Sequence, residues 1–127
     1  MDNHYNRFKK IDAHSHIGKF GSPFNIDFDL QRLTEQMEAY NIEKTILCPA
    51  GCHLNEELKT AYQAAPDKII PLCWVNANEG QKAYDMLEHY LRDENFAGVK
   101  MQPLFDAFTV DSPMVDPIMD LAEAYKK

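Results

Sequence analysis

Four short apolar, β-prone runs punctuate the chain at Ile11–Ile17, Thr45–Pro49, Ile69–Asn76 and Phe96–Gln102. Each is followed by residues at helical spacing. Leu30, Leu33, Met37 and Tyr40 share one stripe, with Asp27 or Asp29 placed to cap it. Leu58, Ala61, Tyr62 and Ala65 form a second stripe that starts near Asn55 and stops at Pro66-Asp67. Ala83, Leu87, Tyr90 and Leu91 form a third after Asn78-Glu79-Gly80. Ile118, Leu121, Ala122 and Tyr125 form a fourth, for which Ser112 as cap and Pro113 at the first helical position predict the start. Strands that alternate with helices imply a parallel sheet. The expected fold class is therefore α/β, with longer strand-to-helix loops at Gly18–Ile26 and Pro103–Asp111. No linker or low-complexity tract interrupts residues 1–127, so one domain is expected. Four such units suit either a small open sheet or half of a (β/α)₈ barrel, which needs about 250 residues. Periodicity alone does not choose between them.

Composition narrows the function classes. The net charge of −7 argues against a nucleic-acid surface, which needs clustered positive charge. No apolar run reaches the length of a membrane span, and the polar start Met1-Asp2-Asn3-His4-Tyr5 lacks a signal-peptide core. Cys48, Cys52 and Cys73 are odd in number and form no C-x-x-C pair, so free thiols in the cytoplasm are expected.

The chemistry concentrates in the first strand, Ile11-Asp12-Ala13-His14-Ser15-His16-Ile17-Gly18. Residues two apart on a strand face the same way, so His14 and His16 project together near its C-terminal end. Two imidazoles at that spacing can bind one divalent metal. They can equally be two buried, hydrogen-bonded histidines. Asp12 shares their parity in a regular strand and would either orient a ligand or plug the floor of a barrel. Lys100, in phase with Gly98 and Gln102, would either approach the metal or an anionic group, or snorkel to solvent. His53 follows the second strand in a loop, where a surface position is the commoner one. Asn76 and Asn78 read as caps, Trp74 as core and His89 as an exposed helix residue.

Ile11–Gly18 resembles the first-strand signature of the amidohydrolase superfamily. More narrowly, it is similar to the amidohydrolase-related group, which includes decarboxylases and lactonases of carboxylated rings. Phe96–Pro103 resembles the fourth-strand segment of that group, and Asp116–Glu123 the helix that follows. The resemblance runs from about Lys10 to the end of the chain. It implies the first four βα units of a (β/α)₈ barrel of the TIM type, a half-barrel. It also implies a divalent metal, with Zn²⁺ the first expectation, held by His14 and His16. Further ligands would follow the fifth, sixth and eighth strands, the last an aspartate that serves as general base; none of those positions occurs here. In some superfamily members a lysine placed like Lys100 is carboxylated and bridges two metals, whereas the amidohydrolase-related group more usually holds one metal without such a bridge.

The resulting expectation is the first half of a metal-dependent enzyme. It would cleave an amide, ester or lactone bond, or decarboxylate a small, anionic substrate, and this chain alone would be inactive. The alternative is a non-catalytic half-barrel or binding module that pairs with itself through its open face as a homodimer, bringing two H-x-H pairs into one mouth. A third reading, a small open-sheet binding module, needs no metal.

Overall fold

The computed structural model describes residues 4–127; the reading of the first three residues as a polar start lies outside them. The chain is mixed α/β. Its elements run β1 (Lys10–Phe20), β2 (Ile26–Phe28), α1 (Leu30–Ala39), β3 (Ile42–Pro49), α2 (Asn55–Ala64), β4 (Ile69–Trp74), α3 (Gln81–Arg92), β5 (Gly98–Lys100), α4 (Pro103–Asp106) and α5 (Asp116–Ala124). The strand order is β2-β1-β3-β4-β5, parallel throughout except for the β1–β2 pair. The chain divides into two compact units, Met1–Pro71 and Leu72–Lys127. The boundary falls within β4. Ile69, Ile70 and Pro71 pair with Thr45, Ile46 and Leu47 of β3, while Leu72, Cys73 and Trp74 pair with Gly98, Val99 and Lys100 of β5.

In the first unit, Asp29 is the cap of α1, and its carboxylate accepts from the Arg32 backbone N–H at 2.9 Å. Asp27 lies instead in β2. The stripe buries Leu33 and Met37 but leaves Tyr40 48% exposed, because Tyr40 is the C-terminal cap and has left the helical spacing. Helix α2 buries Leu58 and Ala61. Thr45 is a fully buried polar residue, and its hydroxyl pairs with that of Ser15, tying β1 to β3. The segment expected as a loop from Gly18 to Ile26 is in part a hairpin. β1 continues to Phe20, and Gly18, Lys19 and Phe20 pair antiparallel with Phe28, Asp27 and Ile26. Three residues per strand are too few to leave a period-2 signature in the sequence.

In the second unit, α3 buries Ala83, Leu87, Tyr90 and Leu91, the stripe its spacing predicts. The Tyr90 ring lies 4.8 Å from that of the fully buried Phe96. Cys73, Trp74 and Val75 are buried, and the Trp74 indole N–H donates to Asp106 at 3.0 Å. Two expectations need correction here. Pro103–Asp106 forms a short helix within the predicted loop. The last helix begins at Asp116, with Pro117 in its first turn, rather than at Pro113. Ser112 instead holds a turn, its carbonyl accepting from the Val115 N–H at 2.9 Å and its hydroxyl from the Met114 N–H at 3.4 Å. Ser112-Pro113 and Asp116-Pro117 carry similar start signals, and the turn consumes the first.

Candidate metal centre

Strand β1 positions the two histidines, but it is not a regular strand. Asp12 pairs with Thr45 and Ser15 with Leu47, so three steps on β1 oppose two on β3. This is a β-bulge at Ala13-His14, a feature that re-aims side chains. Beyond it, Ser15, His16 and Ile17 run in register with Leu47, Cys48 and Pro49. The strand then reaches Gly18, whose φ of +116° favours glycine.

The two imidazoles meet on one face. His14 Nε2 lies 2.9 Å from His16 Nε2, with the ring centroids 4.8 Å apart at 70°. His14 is exposed and His16 half-buried. His16 Nδ1 lies 3.1 Å from the Pro49 carbonyl, which can only accept, so Nδ1 carries the proton. In the neutral ring Nε2 then presents a lone pair. A backbone carbonyl on the far nitrogen is the usual way a metal-binding imidazole is held. Phe20 closes against the His16 ring edge-on, centroids 5.5 Å apart.

The donor set can be tested against a metal. Two nitrogens about 2.0–2.1 Å from a Zn²⁺ ion stand about 2.9 Å apart at a right angle and about 3.3 Å apart at the tetrahedral angle. The observed 2.9 Å therefore suits two ligands of one ion. Among the described residues, no group of three or more His, Cys, Asp or Glu side chains is arranged to hold one. The residues present thus fit half of a coordination sphere.

Other candidates fall out individually. The Asp12 carboxylate accepts from the His14 backbone N–H at 3.0 Å, in the stretch where the register of β1 shifts against β3. Lys100 ends β5 in the second unit, half-buried, its ammonium 5.8 Å from the centroid of the Trp74 ring. It forms one wall of a cleft of about 460 Å³ otherwise lined by Val99, Met101, Pro103, Phe108, Val110, Val115 and Met119. No carboxylate among the described residues pairs with it. His53 is exposed, and His89 is exposed and paired with Asp93. Asn76 caps the short turn that follows β4, accepting from the Asn78 N–H. The Pro49 carbonyl was not foreseen, since a main-chain acceptor on a neighbouring strand leaves no mark in a sequence.

No family model matches the chain, and no curated protein does. Solved structures do. The 5-carboxyvanillate decarboxylase of Novosphingobium aromaticivorans, complexed with manganese and 4-hydroxy-3-methoxy-5-nitrobenzoic acid, superposes with a TM-score of 0.81 at 16% identity, over 96% of this chain and 49% of that one. An amidohydrolase II gives a TM-score of 0.78 at 18% identity, over 91% of this chain and 47% of that one. The chain has the fold of about half of the barrel that these structures share. A dihydroxybenzoic acid decarboxylase from Polaromonas, with bound manganese and the inhibitor 2-nitroresorcinol, matches at a TM-score of 0.69 and 16% identity, over 92% and 47%. The half-barrel thus spans about half the length of the structures it matches. At these identities the likeness concerns the fold.

Proposed function

We propose that the half-barrel supplies two ligands, His14 and His16, to the divalent-metal centre of an amidohydrolase-type enzyme. The 2.9 Å approach of the two Nε2 atoms, with His16 Nδ1 anchored on Pro49, carries this reading. A divalent ion there would supply Lewis acidity toward a carbonyl or carboxylate oxygen. The chain's own residues orient that chemistry. Pro49 fixes the His16 tautomer, Asp12 fixes the backbone at His14, and the Ser15–Thr45 hydroxyl pair anchors the strand between them. Among the described residues no third His, Cys, Asp or Glu is arranged to join the pair as a ligand. Zn²⁺ suits the imidazole pair, and the manganese of the two decarboxylases supports Mn²⁺ as the other candidate.

The substrate is a small molecule bearing a carboxylate, and the reaction is decarboxylation or hydrolysis of an amide, ester or lactone. The aromatic acid and the resorcinol bound by the matching decarboxylases support this class. Lys100 recognises an anionic group; its half-buried ammonium in an apolar cleft supports that role. Cys48, Cys52 and Cys73 form no disulfide, which supports a reducing compartment such as the cytoplasm. Among the described residues no helix is long and apolar enough to cross a membrane.

Isothermal titration of the chain with Zn²⁺ and Mn²⁺ tests the metal role. His14→Ala and His16→Ala should each lower affinity at least about 10-fold, the scale set by changes around metal-bound histidines. Unchanged binding in both variants overturns the reading.

A further inference from the structure

We propose that this chain by itself binds zinc between two copies, each giving the His14–His16 pair to one four-imidazole site, an inference that rests on the metal role proposed above. Zn²⁺ strongly favours four tetrahedral ligands. One copy provides two, and no third side chain among the described residues is arranged to join them. Asp12, two residues away, is engaged with the His14 backbone N–H. The two open positions are therefore left to water or to a second molecule.

The pair is placed to be shared. His14 is exposed, and the His16 ring presents only Nε2, because Nδ1 is bonded to Pro49. Both reactive nitrogens thus converge on one point outside the strand. Among the described residues, β2 pairs with β1 only at Gly18–Phe20, so the stretch bearing the histidines has β3 alone as strand neighbour. A second copy brings its two imidazoles as one chelating unit. Once its first nitrogen binds, the second binds at high effective concentration. Charge opposes the pairing, since each copy carries −7. The ion places +2 where the copies meet, and salt screens the remaining repulsion beyond about 8 Å at physiological strength. Zinc-dependent pairing should therefore tighten as salt is raised.

Light scattering after size exclusion, with zinc analysis of the peak, tests this on the 127-residue chain. With EDTA the mass should be 14.6 kDa. With Zn²⁺ it should double, with one zinc per two chains. His14→Ala and His16→Ala, shown by circular dichroism to be folded, should stay at 14.6 kDa in zinc. Replacing zinc by Co²⁺ should give the intense visible absorption of a four-coordinate ion. His53→Ala, at an exposed loop histidine, should pair as the parent does. One zinc held per 14.6 kDa monomer, and lost in His14→Ala, overturns the shared site while leaving the metal role intact. Zinc binding indifferent to both substitutions overturns the two together. A dimer that forms equally in EDTA, or that also disappears in His53→Ala, overturns the shared site as well.

Discussion

The Pro49 carbonyl accepts from His16 Nδ1 at 3.1 Å, which fixes the ring's tautomer before any ligand arrives. His14 has no such constraint from its partner. With His16 Nε2 a lone pair, His14 Nε2 must donate across the 2.9 Å contact. Both nitrogens can face one cation only after His14 moves its proton to Nδ1. Nitrogen-15 spectra of the metal-free chain should show His16 as the Nδ1–H form and His14 as the Nε2–H form. Zinc should invert His14 alone. Inversion of His16 would contradict the assignment.

Gly18 lies within β1, two residues beyond His16, where the pairing with β2 begins. An added Cβ would stand 3.1 Å from Leu54 Cδ1 and 3.3 Å from Ala50 Cβ, at a φ of +116°. Gly18→Ala should destabilise the chain by about 1–3 kcal/mol, the usual range for strained backbone. Urea denaturation measures it, and a stability within about 0.5 kcal/mol of the parent would contradict the strain argument.

At the end of α3, Arg92 donates to both oxygens of Asp93, at 2.8 and 2.9 Å, and His89 Nδ1 lies 3.0 Å from the same carboxylate. Arg92 first, then His89, holds the Asp93 carboxyl at about 2, below its ordinary 3.8. A depressed folded value contributes stability above the unfolded value and loses it as pH falls through the folded one. Arg92→Ala should therefore melt below the parent at neutral pH, with the gap closing between about pH 4 and pH 2. The gap should be small, because the cluster is exposed and screened. A gap that widens in acid would reverse the sign.

The helices were legible because one physical rule governs them. Leu33 and Met37, Leu58 and Ala61, the four of α3, and Ile118, Leu121 and Ala122 each repeat at helical spacing and are all buried. The H-x-H pair was legible for the same kind of reason, since a two-residue period puts both rings on one face. The bulge was not, because it is a relation between β1 and β3, and no residue in either strand signals it. The hairpin of Ile26–Phe28 escaped notice because its three residues show no alternation. The early start at Ser112 came from a proline that serves a turn as well as a helix.

Each unit has an anchor whose removal should leave a cavity. Leu58 and Phe96 are both fully buried. Leu58→Ala should cost about 2–5 kcal/mol and Phe96→Ala about 3–5 kcal/mol by denaturant unfolding. Costs below about 1 kcal/mol would mean that the surroundings collapse into the space.

Trp74 is the single tryptophan, and Lys100 is the cation over its ring. Benzoate should change the Trp74 emission of the parent, and Lys100→Met should need about 10-fold more benzoate for the same change, the scale of one charge-assisted contact. Benzyl alcohol, uncharged, should bind both proteins alike. Equal benzoate affinity in the two proteins would remove Lys100 from anion recognition.

Register shifts at Lys10/Ile11 and, at the bulge, between Asp12 and Ser15 set the histidine end of β1 in a frame of its own. Ser15, His16 and Ile17 take their register from Leu47, Cys48 and Pro49. Lys10, Ile11 and Asp12 pair separately with Ile42, Lys44 and Thr45. A residue gained or lost upstream is therefore absorbed at the bulge instead of rotating the imidazoles to the opposite face. A length change before Ile11 leaves the His14–His16 spacing intact, while a single insertion on either side of Ser15 would dismantle the pair.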